Sequence, residues 1–121
     1  MKLELKHLVG YLPYGLKVKF INGDIDDIEG IINFKELKVF YKSKYGDYFS
    51  TDLPFKPILR PLSDLTASHF SAWFVSEKRF HKQLANGDLP YIIINELYED
   101  HFDVHNLIEN DLAININELN K

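Results

Sequence analysis

The chain has 121 residues, of which 45% are hydrophobic and 26% charged, the size and balance of one globular domain. It contains no cysteine, which excludes disulfides, thiolate nucleophiles, iron–sulfur clusters and cysteine zinc sites. Its net charge is −4, but residues 1–60 carry ten basic and eight acidic side chains while residues 61–121 carry four and ten. The acidic second half argues against wholesale nucleic-acid binding.

The first twelve residues carry Lys2, Glu4 and Lys6 and no apolar run of signal-peptide length. The longest apolar run is Ile92-Ile93-Ile94 behind Tyr91, far short of the roughly 20 residues that span a bilayer. These features predict a cytoplasmic protein with no membrane partner.

Leu5, Leu8, Val9 and Leu12 follow helical spacing, so residues 3–11 read as a short amphipathic helix ended by Pro13 and Gly15. Leu16-Lys17-Val18-Lys19-Phe20 alternates apolar and charged, the mark of a half-buried strand. Asn22-Gly23-Asp24 is a turn. Further strands are predicted over 27–33, with Gly30 as a bulge, over 35–43 and over 48–51, with a turn at Tyr45-Gly46-Asp47. In the third strand Leu37, Val39 and Tyr41 share the core face, and Lys38, Phe40 and Lys42 the other. Pro54, Pro57 and Pro61 make 55–60 an edge or extended segment.

The second half changes period. Ser63 or Asp64 can cap a helix carrying Phe70, Trp73, Phe74, Phe80 and Leu84, stopped at Asn86-Gly87. Trp73 and Phe74 are expected in the core. Residues 89–94 fit either a strand or a helix start. Leu97, Val104, Leu107 and Ile108 make one stripe of a helix over 96–109, and 112–117 alternates as a closing strand. The fold class is therefore α+β, one domain over 1–121. Residues 1–60 form a small antiparallel sheet, flat or curled into an open barrel, packed with two C-terminal helices.

Four stretches resemble a known group. They are Tyr11 to Val18, Lys56 to Leu65, His101 to Val104, and Leu107-Ile108-Glu109 with Leu112-Ala113-Ile114. Together they are similar to small proteins of unassigned activity encoded in Bacteroidota genomes and their phages. The resemblance implies context, a phage or mobile-element accessory protein in a bacterial cytoplasm, and no fold, ligand or catalytic residue.

The sharpest chemical candidate is His101 with His105, one turn apart on the predicted helix, the spacing of paired imidazole metal ligands. The zinc-protease pattern is absent, since 102 is Phe and 103 is Asp. The plain alternative is one packed and one solvated imidazole. His69, Ser68 and Ser71 near Asp64 lack any nucleophile elbow. Asp24, Asp26, Asp27 and Glu29 lack the glycine and glutamate of a calcium loop. No glycine-rich phosphate loop exists. The stretch 35–56 interleaves lysines with aromatics, and a face carrying Lys38, Phe40 and Lys42, with Lys44, could stack bases and neutralise phosphates. Its plain alternative is a solvated sheet face.

The expected function is non-catalytic, without cofactor: an accessory protein acting on a protein partner. The second reading is a nucleic-acid module on the 35–56 face. The third is a metal-dependent or ligand-binding protein around His101 and His105.

Overall fold

A computed structural model describes the backbone of residues 2–33, 38–42, 48–51 and 54–119, and the side chains of 2–30, 38–41, 51 and 54–119. It opens on one helical turn, α1 (Leu5–Leu8), followed by a 3-10 turn at Leu12–Tyr14. Leu8 and Tyr11 are fully buried, whereas Val9, expected on the same stripe, is exposed. Gly10 lies beneath Tyr98, and a Cβ there would stand 2.5 Å from that ring. The segment closes on Gly15 at φ +73, a left-handed conformation that glycine adopts without strain.

The hairpin of β1 (Lys17–Phe20) and β2 (Ile25–Asn33) follows the charge alternation, with Val18 and Phe20 buried. In its turn, Asn22 Oδ1 accepts the Asp24 N–H at 3.0 Å and Gly23 holds φ +96. The next pair, β2 with β3 (Lys38–Lys42), slips register after Ile28 and again after Ile31. Gly30 sits at the first slip, as its position predicts. The Phe40 ring crosses over it, so a Cβ on Gly30 would lie 2.5 Å from Phe40 Cε1. Beyond β3 comes β4 (Tyr48–Thr51), also antiparallel. The predicted turn at 45–47 lies outside the described residues.

The predicted edge segment is in fact an inner strand. β5 (Phe55–Leu59) pairs with β1 on one side and with β6 (Ile114–Asn115) on the other, in the order β4-β3-β2-β1-β5-β6. Pro57 is tolerated there for a geometric reason. Ile21 N–H donates to Pro54 O, and the register then makes Val18–Pro57 a pair that exchanges no hydrogen bonds. The missing N–H of Pro57 is therefore not needed by β1. The closing strand is shorter than predicted, two residues parallel to β5, and runs into a 3-10 turn at Ile116–Glu118. The two outermost strands do not pair, so the sheet is open and not a barrel.

The helical half departs further from the expectation. Ser63 and Asp64 sit in a 3-10 turn, and the single predicted helix is two, α2 (Ala67–Ala72) and α3 (Glu77–Asn86). Ser76 Oγ accepts the Arg79 N–H at 3.1 Å and restarts the helix. The ambiguous 89–94 stretch is helical, entering α4 (Tyr91–Glu99) behind Pro90. The predicted helix over 96–109 does not form. Residues 101–113 are a series of turns, because His101 N–H bonds Tyr98 O and Phe102 N–H bonds Leu97 O, closing α4. Asp103 N–H then reaches Arg60 O, drawing the chain alongside the end of β5.

Two apolar clusters result. Leu8, Tyr11, Leu16, Val18, Phe20 and Ile28 belong to one, under the sheet. Phe70, Phe80, Leu89, Ile93, Leu97 and Phe102 form the other, among the helices. The architecture is α+β.

Candidate functional site

Two places carry chemistry that the sequence singled out, and two more were missed. The first surrounds the histidines. His101 and His105 are not one helical turn apart, because α4 ends before both. His101 takes φ +61, and its Nε2 lies 3.0 Å from Tyr14 O. His105 Nε2 lies 3.0 Å from Tyr98 Oη. The imidazole facing His105 is His7 from α1, with ring centroids 5.5 Å apart. Tyr11 threads the same region: its hydroxyl donates to Phe102 O at 2.6 Å and accepts the Val104 N–H at 3.1 Å. Burial drives the Tyr11 phenol far above its usual range and raises that of Tyr98.

This network seals the N-terminal segment to α4 and the following loop, and at His7 its hydrogen bond opposes metal binding. His7 Nδ1 accepts the Glu4 N–H at 3.0 Å, so the neutral ring carries its proton on Nε2. A metal at Nε2 would need that proton moved to Nδ1, against an N–H donor. Among the described residues no group of three or more His, Asp or Glu side chains could hold a metal ion. His69 repeats the device. Its Nδ1 accepts the Thr66 N–H at 2.9 Å, while Asp64 accepts from the Asn117 amide. His69 and Asp64 are thus occupied separately, and no Ser-His-Asp relay is assembled. In both capping boxes histidine fills the third helical position usually taken by Glu or Gln.

A pH dependence follows. Burial first, then the neighbouring His7 and Lys6, lower the His105 pKa below the ordinary 6.5, with Asp103 opposing. The folded state therefore holds the neutral ring more firmly than the unfolded chain does. Stability from this ring is complete above the unfolded value of 6.5 and is lost as pH falls through the lower folded value. His7→Gln keeps an acceptor for Glu4 N–H and removes the facing imidazole. We expect this variant to match the wild-type melting temperature at pH 7.5 and to lose less of it by pH 5.5. His69→Gln, which has no such neighbour, should acidify like wild type. Identical acid loss in all three proteins would show that the His7–His105 contact is inert.

The second place is the sheet face proposed for nucleic acid. Lys38 and Phe40 are half-buried on β3, Lys42 ends that strand, its side chain being outside those described, and Lys44 lies outside the described residues. Phe40 covers Gly30 with its ring, so it is engaged across the strands rather than held free for a base. Farther along the sheet, Lys17 of β1 pairs with Asp27 at 3.2 Å and Lys56 of β5 with Asp111 at 2.9 Å. On β2, opposite Val18, Asp26 has its pKa raised by burial and by its neighbours Asp24 and Asp27. Two lysines of β1 and β5 are thus answered by carboxylates, and a lysine so paired offers a phosphate less. Beside them, Phe20, Ile21, Phe55 and Ile114 line a notch of about 290 Å³, the third place.

The fourth place is the turn between α2 and α3. Phe74 was expected in the core; it is 95% exposed, at φ +54. Trp73 is half-buried, stacked on Phe80 with centroids 5.7 Å apart, and its indole N–H donates to Glu96. The reason Phe74 turns outward lies in the backbone. Phe74 N–H bonds Ser71 O and Val75 N–H bonds Phe70 O, a closure that puts Phe74 at the position where glycine is strongly preferred. The chain closes α3 the same way, there with Gly87 at φ +73. His101 and Asp111 also take this conformation, but each gains a bond from it, to Tyr14 O and to Lys56. Phe74 has no such compensation among the described residues. Tyr91 and Ile92, at the start of α4, are 80% and 67% exposed, and Ile92 stands one turn ahead of the Glu96 that holds Trp73.

Comparison with known proteins finds no matching family model, no matching curated protein and no matching solved structure.

Proposed function

We propose that this chain is a non-catalytic interaction module that binds a protein partner through Phe74, Tyr91 and Ile92. In keeping with the resemblance noted above, its context is a phage or mobile-element accessory factor in a bacterial cytoplasm. The observation that carries the reading is Phe74: a large apolar ring in full solvent, at a backbone position that costs an L-residue about 1–2 kcal/mol. Aromatic side chains are favoured anchors at interfaces, and strain kept without local return is typical of binding surfaces. That no helix among the described residues is long and apolar enough to cross a membrane fits a partner met in water.

Phe74→Gly separates function from stability. Glycine at φ +54 relieves the strain, so the variant should be more stable than wild type by about 1 kcal/mol, read as a higher denaturation midpoint. The same variant should lose nuclease-resistant capture of the partner from host lysate. Unchanged capture would mean that the partner does not use Phe74, and a variant less stable than wild type would mean that Phe74 serves the fold. The nucleic-acid reading predicts the opposite pattern: capture abolished by nuclease and by added salt, and indifferent to residue 74.

A further inference from the structure

We infer that the partner of the Phe74 surface is a second copy of this chain, docked about a two-fold axis. This rests on the reading of Phe74 as an interface anchor and adds the identity of what covers it. Trp73 ties the two flanking helices together, stacking on Phe80 of α3 and bonding Glu96 of α4. Those helices carry opposite charge. α3 exposes Lys78, Arg79 and Lys82 along a cleft of about 470 Å³. These are three of only four cations in residues 61–121. α4 exposes Glu96 and Glu99 and ends on exposed Asp100.

Neither set is neutralised among the described residues. None of Lys78, Arg79 and Lys82 and no carboxylate of the α4 end forms a salt bridge among the described residues. The acidic end is also adverse locally. Carboxylates in the last turn of a helix face its negative pole, and α4 has no basic residue there. A two-fold interface is self-complementary: what one copy offers, the other receives. An apolar centre flanked by cations on one helix and carboxylates on the other meets that condition. α3 of each copy faces α4 of its partner across Phe74 and Ile92.

Sedimentation velocity over a range of concentrations tests this, with charge-swapped variants at exposed positions. One variant is Lys78→Glu with Lys82→Glu; the other is Glu99→Lys with Asp100→Lys. Wild type should dimerise, and each variant alone should dimerise at least tenfold more weakly, because its two facing helices then repel. An equimolar mixture should restore dimer, since each copy then offers the other its complement. Phe74→Gly should also weaken the wild-type dimer tenfold or more. A wild-type chain that stays monomeric throughout, or a dimer indifferent to both swaps, would overturn the second-copy inference. In either case Phe74-dependent capture of a different protein would leave the interface reading standing. A dimer sensitive to the swaps but indifferent to Phe74→Gly would overturn the arrangement proposed here and the role given to Phe74.

Discussion

Phe80→Ala is expected to cost about 3–5 kcal/mol, the range for removing a large aromatic from a packed core. Phe80 is fully buried. It stands edge-on to Phe70 at 5.4 Å and is stacked by Trp73, so it joins α2, α3 and the α4 side of the helical cluster. Its removal leaves a cavity walled by aromatic rings, which relax poorly because each also has a second contact. Trp73 would lose its stacking partner and keep only the Glu96 bond. Domains of this size have about 5–15 kcal/mol in total, so the variant should lose a large share of its stability. Urea denaturation, comparing midpoints at unchanged slope, provides the measurement. A loss below 1 kcal/mol would show that the helices are held chiefly by contacts to the sheet.

Asp103→Asn is expected to cost about 2–4 kcal/mol without changing the shape of the side chain. The Asp103 carboxylate is 4% exposed, and its two oxygens accept Leu107 N–H at 2.8 Å and Ile108 N–H at 2.9 Å. Asparagine keeps one acceptor and turns an NH₂ donor toward the other N–H, leaving a buried donor unsatisfied. Leu107 is fully buried in the cluster under the sheet, so the loss is transmitted to the core. Hydrogen exchange at the Leu107 and Ile108 amides should accelerate together with the drop in melting temperature. Protection equal to wild type at both amides would mean that packing alone holds this loop.

The sheet was largely legible because its signals are local. Lys17-Val18-Lys19-Phe20 alternates with period two, Asn22-Gly23 supplies the turn, and Gly30 falls at a bulge. Each is decided by neighbours in sequence, through side-chain direction and backbone sterics. The misread stripe of Leu97, Val104, Leu107 and Ile108 is instructive. Those residues are apolar for different reasons, since Leu97 and Val104 pack among the helices and Leu107 and Ile108 under the sheet. A period of 3.6 arose from two separate burials. The break between them is made by Asp103, whose carboxylate takes backbone N–H groups that a helix would have paired internally.

By itself the sequence determined the α+β class, the strand-rich first half and the lack of any cysteine chemistry, because composition and short-range alternation suffice for these. Only the tertiary structure decided which groups meet. His105 faces His7 from the other end of the chain rather than His101, since closure of α4 turns the two later histidines onto different partners. Likewise Trp73 and Phe74 are neighbours with the same preference for burial. One lies against Phe80 and the other stands in water because the helix closes between them, and a left-handed residue directs its side chain away from the helix that precedes it.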